Sequence, residues 1–219
     1  MARIAIVGGH GNVARQLHPL LLAAGHTPVA LVRRPEQKEA LEAQGVEVRL
    51  IDLEQADEHG YAEAIAGTDA VVFAAGGGAD GNIERKRTVD LGASLKSQAA
   101  AREAGVKRFV QISAIGVDKP LGDDVEPVWR AYVEAKRDAD AALRATDLDW
   151  TIIRPGGLTD DPAADAVSIG EEVERGQISR ADVAATVVAV LAEPRSIGRQ
   201  WELVGGELTV TDAVQQALA

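Results

Sequence analysis

The stretch Gly8-Gly9-His10-Gly11-Asn12-Val13-Ala14 decides the fold of this 219-residue chain. It follows the apolar run Ile4–Val7, which predicts a buried strand, and opens a segment of helical apolar spacing from Asn12 to Ala24. Glycines in such a turn let the backbone approach a phosphate, because no Cβ intervenes. The free N–H groups and the positive dipole end of the helix then favour a diphosphate. The stretch therefore predicts a dinucleotide-binding turn, and the alternative is a glycine-rich turn without a ligand.

Composition limits the classes of protein to which the chain can belong. Hydrophobic residues make up 46% and aromatic residues only 3%, so Ala, Val, Leu and Ile must build the core. The net charge of −11 disfavours nucleic acid and anionic membranes as partners. The absence of cysteine excludes disulfides and thiolate metal sites, and we expect no metal. Without a signal peptide or membrane-length apolar stretch, we expect a cytoplasmic monomer or homodimer with a small-molecule substrate.

Strand and helix signals alternate along the chain. We expect strands at Ile4–Val7, Pro28–Val32, Val46–Leu50, Ala70–Ala74, Arg108–Ser113, Asp149–Arg154 and Gln200–Val204. We expect helices at Asn12–Ala24, Pro35–Ala43, Tyr61–Ile65, Thr88–Ala104, Pro127–Ala145, Ser179–Leu191 and Val210–Leu218. This alternation predicts an α/β, three-layer Rossmann fold with a doubly wound, mainly parallel sheet, as a single domain over 1–219. The irregular segments 75–87 and 156–178 follow strand ends, where such sheets bind ligands, and the second forms a small C-terminal substrate region.

The end of the second expected strand indicates which cofactor is preferred. In this fold the position meets the adenosine ribose, and a carboxylate there would favour NAD(H). The chain instead has Arg33 and Arg34, whose guanidinium groups suit a 2′-phosphate. We expect NADP(H), with NAD(H) as the alternative cofactor; solvated surface arginines are the other interpretation. Asp52 and Leu53 follow the third strand, where they would border the adenine. The carboxylate of Asp52 can accept a hydrogen bond from the adenine amino group. His10 either binds a phosphate or fills the turn, and we favour the second.

Three further residues predict carbonyl chemistry. Ser113 ends the fifth expected strand, and Tyr132 and Lys136 are four apart on the following helix, so they share one face. A phenol has an ordinary pKa of about 10, and a neighbouring ammonium lowers it by stabilising the phenolate. The serine hydroxyl can hold a substrate carbonyl oxygen while the phenol protonates it. The alternative is a helix with an exposed lysine and a packed tyrosine.

A set of short motifs spans the chain: Gly8–Val13, Arg33, Asp52-Leu53, Ala74-Ala75-Gly76, Ile112-Ser113, Tyr132–Lys136, Ile153–Leu158 and Arg180–Ala184. As a set they resemble the short-chain dehydrogenase/reductase superfamily, in its atypical NAD(P)-binding branch. Within that branch the chain is similar to small bacterial proteins described as NAD-dependent epimerases/dehydratases. The resemblance covers essentially the whole chain.

The resemblance implies roles for matching positions. Ala74, Ala75 and Gly76 would run past the adenosine and ribose. Tyr132 and Lys136 would hold the nicotinamide ribose, with Tyr132 also the acid/base, and Pro155, Gly156, Gly157 and Leu158 would border the nicotinamide. The full expected cofactor set is Gly8, His10, Gly11, Asn12, Val13, Arg33, Arg34, Asp52, Leu53, Ala74, Ala75, Gly76, Ile112, Tyr132, Lys136, Pro155, Gly156, Gly157 and Leu158. The expected catalytic set is Ser113, Tyr132 and Lys136.

Two departures from the family pattern bear on mechanism. His10 stands where this branch has a small residue or threonine. The superfamily often has a proton-relay asparagine on the helix before the serine strand, and here Asp90 is the nearest polar residue. We expect an NADPH-binding oxidoreductase that reduces a small carbonyl or quinone-like substrate. The alternatives are a non-catalytic NAD(P)H sensor, a flavin or quinone reductase that works by positioning, and an epimerase/dehydratase.

One loop adds an expectation about substrate charge. The segment between the serine strand and the tyrosine helix carries Asp118, Asp123, Asp124 and Glu126. Acidic side chains at the mouth of the site would disfavour polyanionic substrates. The alternative is a solvated loop without influence on the substrate.

Overall fold

The alternation of strands and helices appears in a computed structural model that describes residues 1–78 and 81–219. The strands are β1 (Arg3–Val7), β2 (Thr27–Val32), β3 (Glu47–Leu50), β4 (Ala70–Phe73), β5 (Arg108–Ile112), β6 (Asp149–Pro155), β7 (Gly157–Thr159), β8 (Val167–Gly170), β9 (Gln177–Ser179) and β10 (Arg199–Gly205). The helices are α1 (Asn12–Ala23), α2 (Pro35–Glu42), α3 (Glu58–Ile65), α4 (Ile83–Arg85), α5 (Ser94–Glu103), α6 (Pro127–Arg144), α7 (Arg180–Ala192) and α8 (Val210–Ala217). Residues 79 and 80, part of the expected irregular segment 75–87, lie outside the described residues. Among the described residues, no helix has the length and apolar character that crossing a membrane requires.

The central sheet has eight strands in the order β3-β2-β1-β4-β5-β6-β10-β8. All neighbours pair in parallel except β8, which runs antiparallel to β10. The expected doubly wound, mainly parallel sheet is confirmed. The chain turns outward in opposite directions from β1, so a crevice opens between the carboxyl ends of β1 and β4.

Alternate residues of β1 fill the two layers of the core. Ile4 and Ile6 pack with α1 and α7 residues such as Leu17 and Val187 on one face. Ala5 and Val7 pack on the other face with residues from α3 and α5. This alternation follows from the period of two in a strand, and it explains why a strand buried on both faces is apolar throughout.

Three short strands that the sequence did not predict lie in the expected irregular segment 156–178. β7 and β9 form a separate parallel pair, and β8 joins the edge of the main sheet. Strands of three or four residues carry too little hydrophobic periodicity to be recognised from sequence. Their pairing partners are also far along the chain.

The helix expected at Thr88–Ala104 begins earlier and is irregular. It starts with α4, continues through a π-helical segment at Lys86–Ala93, and ends with α5. Wider π turns are rare and are frequently found at functional sites. In this segment the charged side chains of Lys86 and Asp90 are buried, although the basic sequence around Lys86 is typical of an exposed helix.

Candidate cofactor and substrate site

The glycine turn has no room for side chains. Gly8 has a φ of +81°, and a Cβ there would lie 2.7 Å from the Cα of Ala75 at the end of β4. A Cβ on Gly9 would lie 2.6 Å from the Cβ of Ala30 on β2. The N–H of Gly11 donates to the carbonyl of Gly8 over 2.8 Å and closes the turn. Tight strand packing and a left-handed backbone therefore both require glycine at the turn.

The first turn of α1 is suited to an anionic ligand. Gly11 is its N-cap residue, and neither a side-chain cap nor an acidic residue occupies the first turn. The leading N–H groups and the positive dipole end thus remain available to a diphosphate. The side chains of the two following residues act differently: Asn12 accepts a hydrogen bond from Arg15 over 2.6 Å, and Val13 is buried in the core.

A histidine that the sequence analysis missed supports this turn from below. His18 on α1 is fully buried, and its Nε2 lies 2.6 Å from the carbonyl oxygen of Gly9. Since a carbonyl only accepts, Nε2 must donate the proton. Burial is the main reason why the pKa of His18 lies below its ordinary value, so the ring stays neutral. His10, by contrast, lines the adjoining groove, and burial and Arg15 lower its pKa.

A groove at the carboxyl ends of β1, β2 and β4 collects most of the expected adenosine-side residues. Its lining includes Gly8, His10, Gly11, Arg33, Asp52, Leu53, Ala74, Ala75 and Gly76. Arg34 is absent from the lining and instead occupies the N-cap position of α2. The position of this groove at the turn of α1 fits the adenosine and diphosphate of a dinucleotide.

The groove also contains a carboxylate that the sequence analysis did not find. Glu54 lies 3.5 Å from Arg33 and 3.8 Å from Arg85, and accepts a hydrogen bond from Thr88 over 3.0 Å. It reaches the groove from the loop after β3, not from the end of β2. Asp52 lines the groove and accepts a hydrogen bond from the backbone N–H of Glu54 over 3.0 Å.

A second cavity of about 830 Å³ is lined by two of the three expected reactive residues, Ser113 and Tyr132. Its lining includes Ser113, Tyr132, Pro155, Gly156, Gly157 and Leu158, together with Trp129 and Lys86. Ser113 comes directly after β5, and Tyr132 projects from α6. Most of the residues predicted for the nicotinamide side are therefore brought together in one cavity; Lys136 and Ile112 are not.

Lys136 lies behind Tyr132 and does not line the cavity. Its Nζ is 6.0 Å from the centre of the Tyr132 ring, 3.3 Å from Oδ1 of Asp90 and 3.3 Å from the carbonyl oxygen of Ile112, to which it donates. The other carboxylate oxygen of Asp90, Oδ2, accepts a hydrogen bond from the N–H of Gly77 over 2.9 Å. Burial alone would lower the pKa of Lys136, but Asp90, together with Tyr132 and Asp140, outweighs burial and the pKa is raised. Lys136 is therefore a buried cation whose charge is largely balanced by Asp90.

This pairing changes the expected effect of Lys136 on Tyr132. Burial raises the pKa of the Tyr132 phenol above its ordinary value of 10.0; Lys136 opposes the rise, and the carboxylates of Asp90 and Asp140 add to it. The lowering expected from an adjacent ammonium is thus present but outweighed. Tyr132 remains protonated at neutral pH and can act as a proton donor.

Ser113 belongs to a buried hydrogen-bond network centred on Asp140. The hydroxyl of Ser113 donates to Asp140 over 2.8 Å, and Gln111 donates to the same carboxylate over 2.6 Å. Arg154 donates to it through Nε over 2.9 Å and also to Asp118 over 2.7 Å. With its proton directed at Asp140, Ser113 presents acceptor lone pairs to the cavity.

The structure thus leaves Asn12, Val13, Arg34, Ile112 and Lys136 outside the lining of both cavities. Four residues in or beside the site were not among those predicted from the sequence: His18, Glu54, Lys86 and Asp140. Only Asp90 had been singled out, through its place on the helix before the serine strand. Each of these four residues is charged or titratable. Its place in the site depends on contacts between segments that are distant in the sequence, which local patterns do not predict.

The glycine turn, the crevice beside β1 and the tyrosine cavity define a Rossmann-type nucleotide-binding protein. A family model described as NAD(P)H-binding matches residues 8–194, and the chain belongs to this family. The resemblance predicted from the sequence is confirmed.

Similar proteins carry reductase and epimerase names. The chain is 37% identical to the uncharacterized sugar epimerase YhfK of Bacillus subtilis, over 98% of this chain and 99% of that protein. A solved Bacillus halodurans structure, provisionally described as an NAD-dependent epimerase/dehydratase, is 34% identical, with a TM-score of 0.91 and coverage of 99% and 100%. ChuY, an anaerobillin reductase of Escherichia coli O157:H7, is 26% identical, with a TM-score of 0.76 and coverage of 94% and 98%.

Proposed function

We propose that this protein is an NADPH-dependent oxidoreductase that transfers a hydride to a small carbonyl or quinone-like substrate. The observation that carries the proposal is that Tyr132 and Ser113 line one cavity, while the glycine turn and Arg33 line a groove at the carboxyl ends of the same sheet. A bound nicotinamide would supply the hydride to the substrate carbon. The reductase name of ChuY supports this class of reaction.

The chain's own residues handle the proton. As the carbonyl carbon gains the hydride, the C–O π electrons move to oxygen, and the Tyr132 hydroxyl donates a proton there. Because the Ser113 hydroxyl donates to Asp140, it has no proton for the carbonyl oxygen and does not hold that oxygen as the sequence predicted. It can accept a hydrogen bond from a donor group of the substrate. Burial keeps the phenol neutral before reaction, and Asp90 offsets the opposing charge of Lys136 beside it.

Substrate tests separate this proposal from its alternatives. Purified protein would be incubated with NADPH or NADH and a panel of aldehydes, ketones, quinones and flavins, and cofactor oxidation and reduced product would be measured together. A reductase consumes cofactor in proportion to product. An epimerase returns the hydride to its substrate and consumes none, and a sensor binds NADPH without product. Absence of net cofactor oxidation across the panel would contradict the proposal.

Arg33 supports the preference for NADPH. Its side chain is 54% exposed, and its contact with Glu54 is a long one of 3.5 Å, so the guanidinium is free to turn toward a 2′-phosphate. The phosphate would attract it more strongly than Glu54 does, because a phosphate carries more charge than one carboxylate. Glu54 is the opposing influence, because a carboxylate in the groove can accept from the ribose 2′-hydroxyl of NADH.

Replacing Arg33 by alanine is expected to weaken NADPH binding by roughly 10- to 100-fold, since it removes hydrogen bonds to a charged group. NADH binding is expected to stay nearly constant, and calorimetric titration of both cofactors measures the change. Arg34→Ala is the matched control, because it removes an identical charge one residue outside the groove lining. Equal losses in both variants would show a general charge effect and contradict a specific role of Arg33.

A further inference from the structure

We propose that the substrate carries an anionic group, a carboxylate or a phosphate, which Arg175 binds at the mouth of the tyrosine cavity. The proposal rests on the proposed function only because it calls the bound molecule a substrate; anion binding by Arg175 does not require turnover. The cavity is large enough for a molecule with both a reacting carbonyl and a charged group, at about 830 Å³.

The charge of the cavity lining is opposite to that of the chain. The whole chain has a net charge of −11. Among the described residues, the lining has three cations, Lys86, Arg175 and Arg180, and a single carboxylate, Glu126. Cations concentrated in one cavity of an acidic protein attract anionic ligands locally.

Of these cations, Arg175 is available for a ligand. Arg180 is paired with Asp160 at 2.8 Å, and Lys86 donates to the carbonyl of Gly78. Within the described part of the chain, Arg175 has neither an ion pair nor a side-chain hydrogen bond. Its guanidinium rests on the backbone of Gly116, where a Cβ would come within 2.9 Å of Nη2. The guanidinium is thus held near the cavity with its donors unused.

The backbone on both sides of Arg175 is anchored. Glu202 on β10 is only 4% exposed, and its carboxylate accepts from the N–H of Gly116 over 3.0 Å and from the N–H of Val173 over 3.1 Å. On the other side, the N–H of Gly157 donates to the carbonyl of Gly176 over 3.0 Å. One buried carboxylate therefore fixes both the loop that carries Arg175 and the loop on which its side chain rests.

Other residues of the cavity lining suit a flat, apolar molecule. Trp129 is 50% exposed, and its ring centre lies 5.3 Å from that of Tyr132. Leu158 is also partly exposed on the lining. Aromatic rings favour offset stacking with planar groups, and a guanidinium binds a carboxylate or phosphate through two parallel hydrogen bonds. Together they fit a planar, conjugated molecule with an anionic substituent.

The expectation that the acidic loop disfavours anions is not supported by this arrangement. Of its four acidic residues, only Glu126 lines the cavity. Asp118 is half exposed and pairs with Arg154 at 2.7 Å.

Binding of unreactive probes tests the proposal without requiring turnover. Protein saturated with NADP⁺ would be titrated calorimetrically with naphthalene-2-carboxylate, 2-naphthyl phosphate and the neutral naphthalene-2-carboxamide. We expect at least one anion to bind roughly 10- to 100-fold more tightly than the amide. The stronger of the two anions identifies the group as carboxylate or phosphate. Because no hydride transfer is needed, failure of the proposed reductase activity would leave this result unaffected.

Variants then assign the effect to Arg175. Arg175→Gln is expected to remove most of the anion preference, and Arg175→Lys to keep part of it, since charge remains but the planar fork is lost. Arg137→Gln, an exposed site on α6 outside the cavity, is the charge-matched control and should keep the preference. No anion binding, equal binding of acid and amide, an unchanged preference in Arg175→Gln, or a loss of NADP⁺ affinity in that variant would each overturn the proposal.

Discussion

Replacing Tyr132 by phenylalanine is expected to lower kcat/KM for NADPH-dependent reduction by roughly 10²- to 10⁴-fold, the range for loss of a general acid. The ring of phenylalanine preserves the contacts with Trp129 and Lys136, so only the hydroxyl is lost. NADPH affinity should change little by comparison. Steady-state rates with the best substrate of the panel, together with calorimetric Kd values, measure both quantities.

Tyr61→Phe is the control for this variant, because Tyr61 is the other tyrosine of the chain and packs from α3 into the core. It should keep kcat, although the hydrogen bond from its hydroxyl to the carbonyl of Leu53 is lost. Turnover that survives Tyr132→Phe unchanged would exclude the acid role. Such a result would favour a flavin or quinone reductase that works by positioning alone.

The pH profile gives a second measurement of the same role. Because burial raises the pKa of Tyr132 above 10.0, the phenol keeps its proton throughout the neutral and mildly alkaline range. Reduction by the unmodified protein should therefore show no alkaline loss of kcat/KM until the pH exceeds that ordinary value. A fall in kcat/KM centred near neutral pH would contradict this expectation. It would mean that the effect of Lys136 on the pKa of Tyr132 is larger than the opposing effects of burial and Asp90.

Asp140→Asn is expected to lower the free energy of unfolding by about 3–5 kcal/mol, the usual cost of breaking a buried ion pair from one side. The variant leaves Arg154, which is only 4% exposed, with Asp118 as its remaining carboxylate partner. For a chain of this size the loss corresponds to a fall in Tm of roughly 6–20 °C. Urea unfolding and scanning calorimetry measure the two quantities.

The control is Asp138→Asn, the same substitution two residues earlier on α6. Asp138 is exposed and its contact with Arg137 is 3.4 Å long, so the expected loss is at most about 1 kcal/mol. If both variants unfolded alike, Asp118 alone would be sufficient to satisfy Arg154. Activity should also fall in Asp140→Asn, because Ser113 loses its carboxylate acceptor.

Local signals predicted the part of the site that local geometry builds. The turn at Gly8 combines a strand end, a glycine spacing and a helix start within a few residues, and the structure places all three as expected. Tyr132 and Lys136 share a helix face because they are four apart. Their different surroundings could not be predicted, since Asp90 reaches Lys136 from a π-helical segment with no recognisable sequence signal.

Long-range charge pairing explains what the sequence could not reveal. Asp140 and Arg154 are 14 residues apart, and Arg154 and Asp118 are 36 apart. The same limit applies to Glu202, whose hydrogen bond to Gly116 spans 86 residues. In the sequence each of these residues is typical of a solvated surface, and burial emerges only when the sheet is assembled.

His18 gives the cofactor turn a sensitivity to acid. The folded chain disfavours its charged ring, whereas the unfolded chain takes up a proton near the ordinary pKa of 6.5. As the pH falls below 6.5, the unfolded state gains up to about 1.4 kcal/mol per pH unit from this residue, until the lower pKa of the folded state is reached. The Gly9 carbonyl depends on the same ring. Acidification would therefore destabilise the fold at the turn where we expect a diphosphate to bind, and we expect cofactor retention and acid tolerance to be linked through one imidazole.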